Sequence, residues 1–180
     1  RRWASAHAAS CGRAVHYLGE DPRLLEVLRD EADFALTLQR PDGTYAGFHL
    51  QETAGRKPGP WAGGAYDTGP VGEMWVVAAW LLKDPKYLDA ATRLLRAYRT
   101  YPIEFNHNYA AFALYHLAAH YRFTRDPRAL EMGLYYCRHC AACDFLPLGF
   151  QGGHNYYSVY GAITLRGIAQ FCQVLPDSEP

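Results

Sequence analysis

The sequence predicts an all-α fold of repeated helical hairpins, forming part of an α/α toroid whose ring is incomplete. Three observations carry this. Asp-Pro occurs at Asp21-Pro22, Asp84-Pro85 and Asp126-Pro127, each time between two apolar runs of helical period. The runs after each Asp-Pro are amphipathic, whereas those before it are rich in Ala, Gly and aromatics and nearly lack acids. Strand-like alternation is confined to the stretch from Thr44 to Leu50.

Each Asp-Pro is a helix start by local chemistry. The Asp carboxylate accepts from free amide donors of the first turn, and Pro at the first helical position gives up a donor that had no partner there. The segments beginning at Asp21, Asp84 and Asp126 therefore read as outer helices, and those at 5–18, 70–82, 108–121 and 155–171 as inner helices. The corners lie 63 and 42 residues apart, and the shorter spacing is that of a helix pair with its loops. The surplus falls in Pro41 to Tyr66, a Gly- and Pro-rich stretch expected to be a long binding loop. The fourth inner helix has no outer partner. Its Tyr156, Tyr157, Tyr160, Ile163 and Leu165 call for a cover, from a second copy or from the remainder of a longer chain.

The 180 residues are 49% hydrophobic and 20% charged, so residues 1–180 read as one globular domain. Eighteen basic residues balance eighteen acidic ones, which leaves no global field for nucleic acid or an anionic membrane. No apolar run is long enough to span a bilayer, and the start at Arg1-Arg2-Trp3 has neither Met nor an apolar signal core, as expected of a mature piece or an excised domain. Five cysteines, an odd count, do not make a secreted disulfide framework. Fourteen Tyr, four Trp and eight His supply flat amphipathic rings suited to sugar stacking or to an interface.

Chemistry concentrates where two inner helices begin. The first cluster is Phe105-Asn106-His107-Asn108-Tyr109, and the second is Gly152-Gly153-His154-Asn155-Tyr156-Tyr157. Asn at a helix start is first a cap, but capping does not account for the histidines. Two helix N-termini on one rim would offer amide donors and positive dipole ends to a carboxylate. Asn, His and Tyr add an amide donor, a group titrating near neutrality and a phenol able to pass a proton.

The run FNHNYAAF at Phe105 to Phe112 resembles the Asn-His-x-Tyr stretch that opens a central helix in the toroidal alginate lyases. Phe145-Leu146-Pro147 and then His154-Asn155-Tyr156 follow in that family's order, and the likeness extends over about Asn106 to Gln173. The resemblance implies β-elimination on a uronate-containing acidic polysaccharide or oligosaccharide, with no metal and no cofactor, in a periplasmic or secreted setting. It assigns Asn106 to neutralising the uronate carboxylate and His107 to stabilising it or taking the C5 proton. Tyr156 is then the base, or the acid to the leaving oxygen. His154, Asn155 and Tyr109 become substrate-binding residues, joined by Arg56, Lys57 and Trp61 of the long loop. The family's Arg shortly before the Tyr has no counterpart in Leu148 to Gly153, leaving Arg56, Lys57 or Arg166 as substitutes.

Two alternatives stay open beside it. Toroidal glycoside hydrolases need two carboxylates flanking the bond, for which Asp42, Glu52, Asp67, Glu73 and Glu104 are the acids in or beside loops, Asp67 with Glu104 being the pair. A helical-repeat domain that only binds glycan or serves as scaffold needs no such pair. Cys137, Cys140 and Cys143 have metal-ligand spacing with His139 nearby, yet their equivalents Ala32, Ala35, Leu38 and Leu95, Tyr98, Tyr101 in the other outer segments are core-type, so packing without metal or disulfide is expected. His116 and His120, one turn apart, lack the Glu of the metalloprotease motif and read as packing or cleft lining.

Overall fold

The structure, a computed structural model, describes residues 9–10, 12–15, 17, 19, 21–45, 64–100, 107–141, 145–146, 149–150 and 158–176. It is mostly helical. After a helical segment within residues 9–17 come α1 (Pro22–Leu36), α2 (Ala65–Leu82), α3 (Pro85–Tyr98), α4 (His107–Thr124), α5 (Pro127–Tyr136) and α6 (Ser158–Cys172). The extended structure among the described residues is slight. Phe145–Leu146 (β1) pairs antiparallel with Gly149–Phe150 (β2), and Gln39 bridges Tyr45. That bridge closes at the first residues of the Thr44 to Leu50 stretch, whose remainder lies outside the described residues.

All three Asp-Pro corners start helices by the same device. Asp21 accepts from the amide of Arg23, Asp84 from that of Lys86 and Asp126 from that of Arg128, at 2.9, 3.0 and 2.9 Å. The basic side chain two residues on also returns to the capping carboxylate, at 2.9, 3.2 and 2.6 Å. The preceding residue completes the corner at two of them, since Lys83 (φ 56°) and Arg125 (φ 55°) are left-handed. This reverses the chain within three residues.

The helices sort into two layers. α2, α4 and α6 pack on one another in that order, while α1 and α3 pack on α2 and α5 packs on α4. Tyr66 in the first turn of α2 meets Tyr109 in the first turn of α4, with ring centroids 4.2 Å apart, and Trp80 near the end of α2 meets Phe123 near the end of α4 at 5.5 Å. These two helices therefore run parallel, side by side.

Small residues allow the close approach. A Cβ on Gly69 of α2 would fall 1.8 Å from the carbonyl oxygen of Phe112, and one on Gly167 of α6 would fall 2.6 Å from that of Ala111. Van der Waals contact of backbones is possible only without those side chains. Apolar residues surround the inner helices rather than striping them, as their burial demands: Val71, Met74, Trp75 and Ala78 of α2 and Ala110, Ala113, Leu114 and Leu117 of α4 are fully buried. Each large aliphatic side chain among them contributes about 1.5–3 kcal/mol on burial. The Trp75 indole N–H finds the carbonyl of Ala32 at 3.1 Å, which ties α1 to this core.

Two local expectations are corrected. α2 begins at Ala65, not Pro70, so Asp67 is helical and buried rather than a loop acid, and Glu73 is buried well inside the helix; Pro70 sits inside the helix too. The third outer helix does not continue regularly to Cys143, because after Tyr136 it opens into a π-turn over Cys137–Ala141. The three-residue spacing of its cysteines thus does not translate into one α-helical stripe. Cys137 and Cys172 are free, and burial followed by the nearby Cys172 pushes the Cys137 thiol up. On the last inner helix Leu165 is exposed, whereas Tyr160 and Ile163 are half-buried.

Candidate functional site

Of the residues singled out in the sequence, His107 and Tyr109 are described; Asn106, His154, Asn155, Tyr156, Arg56, Lys57 and Trp61 lie outside the described residues, as do Glu52 and Glu104. His107 opens α4 and is 8% exposed, and the next residue, Asn108, is 1% exposed with its side-chain oxygen lacking a hydrogen-bond donor among the described residues. Tyr109 is half-buried against Tyr66, whose ring also meets Phe112 edge-on at 5.6 Å. Asp67 and Thr68 of the first turns of α2 are buried at the same end. Two parallel helix N-termini thus bring their amide ends to one rim, which concentrates positive potential there.

A second locus was missed in the sequence. A cavity of about 360 Å³ opens among the inner helices toward the C-terminal ends of α2 and α4. Residues from four segments line it: Arg13 and Tyr17 before α1, Glu73 and Trp80 of α2, Tyr115, Arg122 and Phe123 of α4, and Gln170 at the end of α6. The feature that would have revealed it is an acid, Glu73, inside an otherwise apolar inner helix.

Glu73 is 3% exposed and fully engaged. It is ion-paired with Arg13, accepts from Arg166 at 3.4 Å and receives the Gln170 amide at 3.3 Å. The Arg166 guanidinium also lies over the Tyr115 ring, 4.3 Å from its centroid, while the Tyr115 hydroxyl donates to the Ile163 carbonyl at 3.0 Å. Burial comes first among the causes that push the Tyr115 phenol up to about 12, so it stays protonated. Arg166 was noted in the sequence as a stand-in arginine; it serves Glu73.

A third polar group faces the outer layer. His116 and His120 of α4 are buried one turn apart with ring centroids 5.4 Å apart, and His116 Nδ1 lies 3.3 Å from the Tyr98 hydroxyl of α3. Desolvation dominates both. It holds His116 well below the usual imidazole range and His120 at about 4, although Asp126 draws His120 upward. Among the described residues no three metal-ligand side chains converge, and no helix is long and apolar enough to cross a membrane. Neither family models, nor the curated proteins, nor the solved structures yield a match to this chain.

Proposed function

We propose that this chain is a carbohydrate-active domain of the α/α-toroid type that cleaves a uronate-containing glycan by β-elimination. The observation that carries the reading is the side-by-side start of α2 and α4, with His107 as the first residue of α4 and Tyr109 packed against Tyr66. Parallel inner helices, outer helices launched from Asp-Pro corners and Gly-mediated packing between the inner helices support the toroidal arrangement.

The chemistry follows from the acidity of the C5 proton. That proton leaves only when the neighbouring carboxylate is neutralised, and preorganised donors at converging helix starts do this without reorganisation. Asn106 and His107 engage the carboxylate, a base takes the C5 proton, and the leaving oxygen is protonated as the ring double bond forms. Tyr156 fills one or both proton-transfer roles. The hydrolase alternative needs Asp67 with Glu104 as a free carboxylate pair; Asp67 is buried on α2 and Glu104 lies outside the described residues, while Glu73 is already held by two arginines.

The test is the appearance of ultraviolet-absorbing unsaturated product from a panel of polyuronates. Tyr156→Phe should lower the rate by about 10²–10⁴-fold while leaving the fold intact. Reducing ends released without absorbance would establish hydrolysis instead, and no turnover of any polyuronate would remove the catalytic reading.

A further inference from the structure

We propose that the cavity between the inner helices is a binding site for a single sugar acid, a hexuronate-type ring carrying one carboxylate. The site goes beyond the elimination chemistry and does not depend on it. From His107 to Tyr115, where the cavity begins on α4, is eight residues, about 12 Å of helix, and Arg122 lies about two turns further on, so the cavity is separate from the rim.

Charge gives the first argument. Two guanidinium groups, Arg13 and Arg122, line this cavity with one carboxylate, Glu73, and a third, Arg166, reaches that same carboxylate. Arg13 and Arg166 are spent on Glu73, whereas Arg122 has no acidic partner among the described residues. A guanidinium at the wall of a cleft is a fork suited to a planar carboxylate.

The second argument is a polar wall. Gln170 gives its amide N–H to Glu73, and Gln173 lines the same wall with an amide that can both donate to and accept from a ligand hydroxyl. Acetate has no hydroxyl to give.

Shape and stacking complete the choice. Trp80 and Phe123 meet at 5.5 Å with planes tilted by 46°, and Phe123 is 43% exposed. Such rings offer flat faces to the C–H side of a pyranose. The volume, about 360 Å³, lies at the small end of ligand pockets, fitting a monosaccharide rather than a chain. Anion, hydroxyl donor and apolar ring face together describe a sugar acid.

Titration calorimetry on the intact chain tests this with D-glucuronate and D-galacturonate, with D-glucose as the neutral control and acetate as the charge-only control. One of the uronates should bind one to one, at least tenfold more tightly than glucose or acetate. Arg122→Gln and Trp80→Leu should each weaken it about tenfold or more with unchanged circular dichroism. Tyr156→Phe should leave the affinity unchanged, which separates this site from the elimination reading: uronate binding is expected whether or not the polyuronate assay shows turnover. Absence of uronate binding, acetate binding as tightly as uronate, or full affinity in folded Arg122→Gln would overturn the proposal. So would loss of binding in Tyr156→Phe, because the ligand would then sit at the rim.

Discussion

Glu73 on α2 and the His116–His120 pair on α4 are both buried in the inner layer, yet burial is compensated in opposite ways. Glu73 faces the cavity, where two segments send Arg13, Arg166 and Gln170 to it. The histidines face the outer layer, where Tyr98 meets His116 and the Asp126–Arg128 corner acts on His120, and they answer burial by giving up the proton. An acid with long cationic neighbours can remain paired, whereas an imidazole whose pKa starts near 6.5 discards its charge at little cost. On the cavity side of the inner helices Glu73 is therefore met by charged partners, and on the side toward the outer helices the two histidines are neutral.

The largest expected effect comes from reversing that neutrality with acid. His120 has a folded-state pKa of about 4, below the ordinary 6.5. Above pH 6.5 neither state binds the proton and stability is full; as pH falls from 6.5 toward 4 the unfolded chain takes the proton and the folded one does not, so stability declines. At about 1.4 kcal/mol per pH unit this amounts to about 3 kcal/mol from His120, with a further contribution from His116. Urea unfolding at pH 7, 6, 5 and 4.5 measures it. His120→Leu should flatten the slope by about half; an unchanged slope would mean that other groups govern acid sensitivity.

Removing the paired charge has the next effect. Glu73→Ala leaves Arg13 and Arg166 facing each other without their anion, and should cost about 3 kcal/mol, at the low end for buried pairs because the two arginines keep 31% and 40% exposure. Glu73→Gln, which retains hydrogen bonding, should cost less. Equal urea midpoints for wild type and Glu73→Ala would show that the pair contributes nothing. Gly72→Ala attacks the neighbouring position: its Cβ would fall 2.3 Å from the His116 ring, and the ring is backed by Tyr98. Overpacking of about 3 kcal/mol, less about 1 kcal/mol of helix propensity, leaves a net loss of about 2 kcal/mol. A thermal midpoint at or above wild type would show that the seam is looser than the geometry implies.

The outline of the fold was legible because it is written in local chemistry. Asp-Pro at 21, 84 and 126 names each outer helix start, and the Ala- and Gly-rich runs name the inner helices. What local reading could not give is what depends on neighbours. Pro70 hid the first turn of α2, since a proline five residues into a helix reads as its boundary. The π-turn at Cys137 has no compositional mark. The cavity escaped because Arg13, Glu73, Arg122 and Gln170 are scattered over 158 positions of the chain and only packing gathers them. His107 and Tyr109, by contrast, were visible as a cluster in sequence and share one rim with Tyr66.

The smallest expected effect lies at the Asp126 corner, where the two modes of compensation meet. Asp126 caps α5 through the Arg128 amide at 2.9 Å, and its charge is also what draws His120 upward against desolvation. Hydrogen bonds from Arg128 hold the Asp126 carboxyl below its usual range, so it is anionic throughout the window in which His120 titrates. Asp126→Ala removes cap and charge together and should cost about 1 kcal/mol at pH 7. Asp126→Asn keeps a side-chain oxygen for the cap and removes only the charge, so at pH 7 it should cost a few tenths of a kcal/mol, the lost interaction with the helix dipole. Without the anion the folded-state pKa of His120 should fall further, extending the loss of stability to lower pH. Following the His120 ring protons by NMR from pH 7 to 4 in both variants separates the two roles: a lower midpoint in Asp126→Asn with a near-normal urea midpoint at pH 7 is the expected result. An unshifted midpoint would mean that desolvation alone sets this histidine, and that the corner acts on α5 only as a cap.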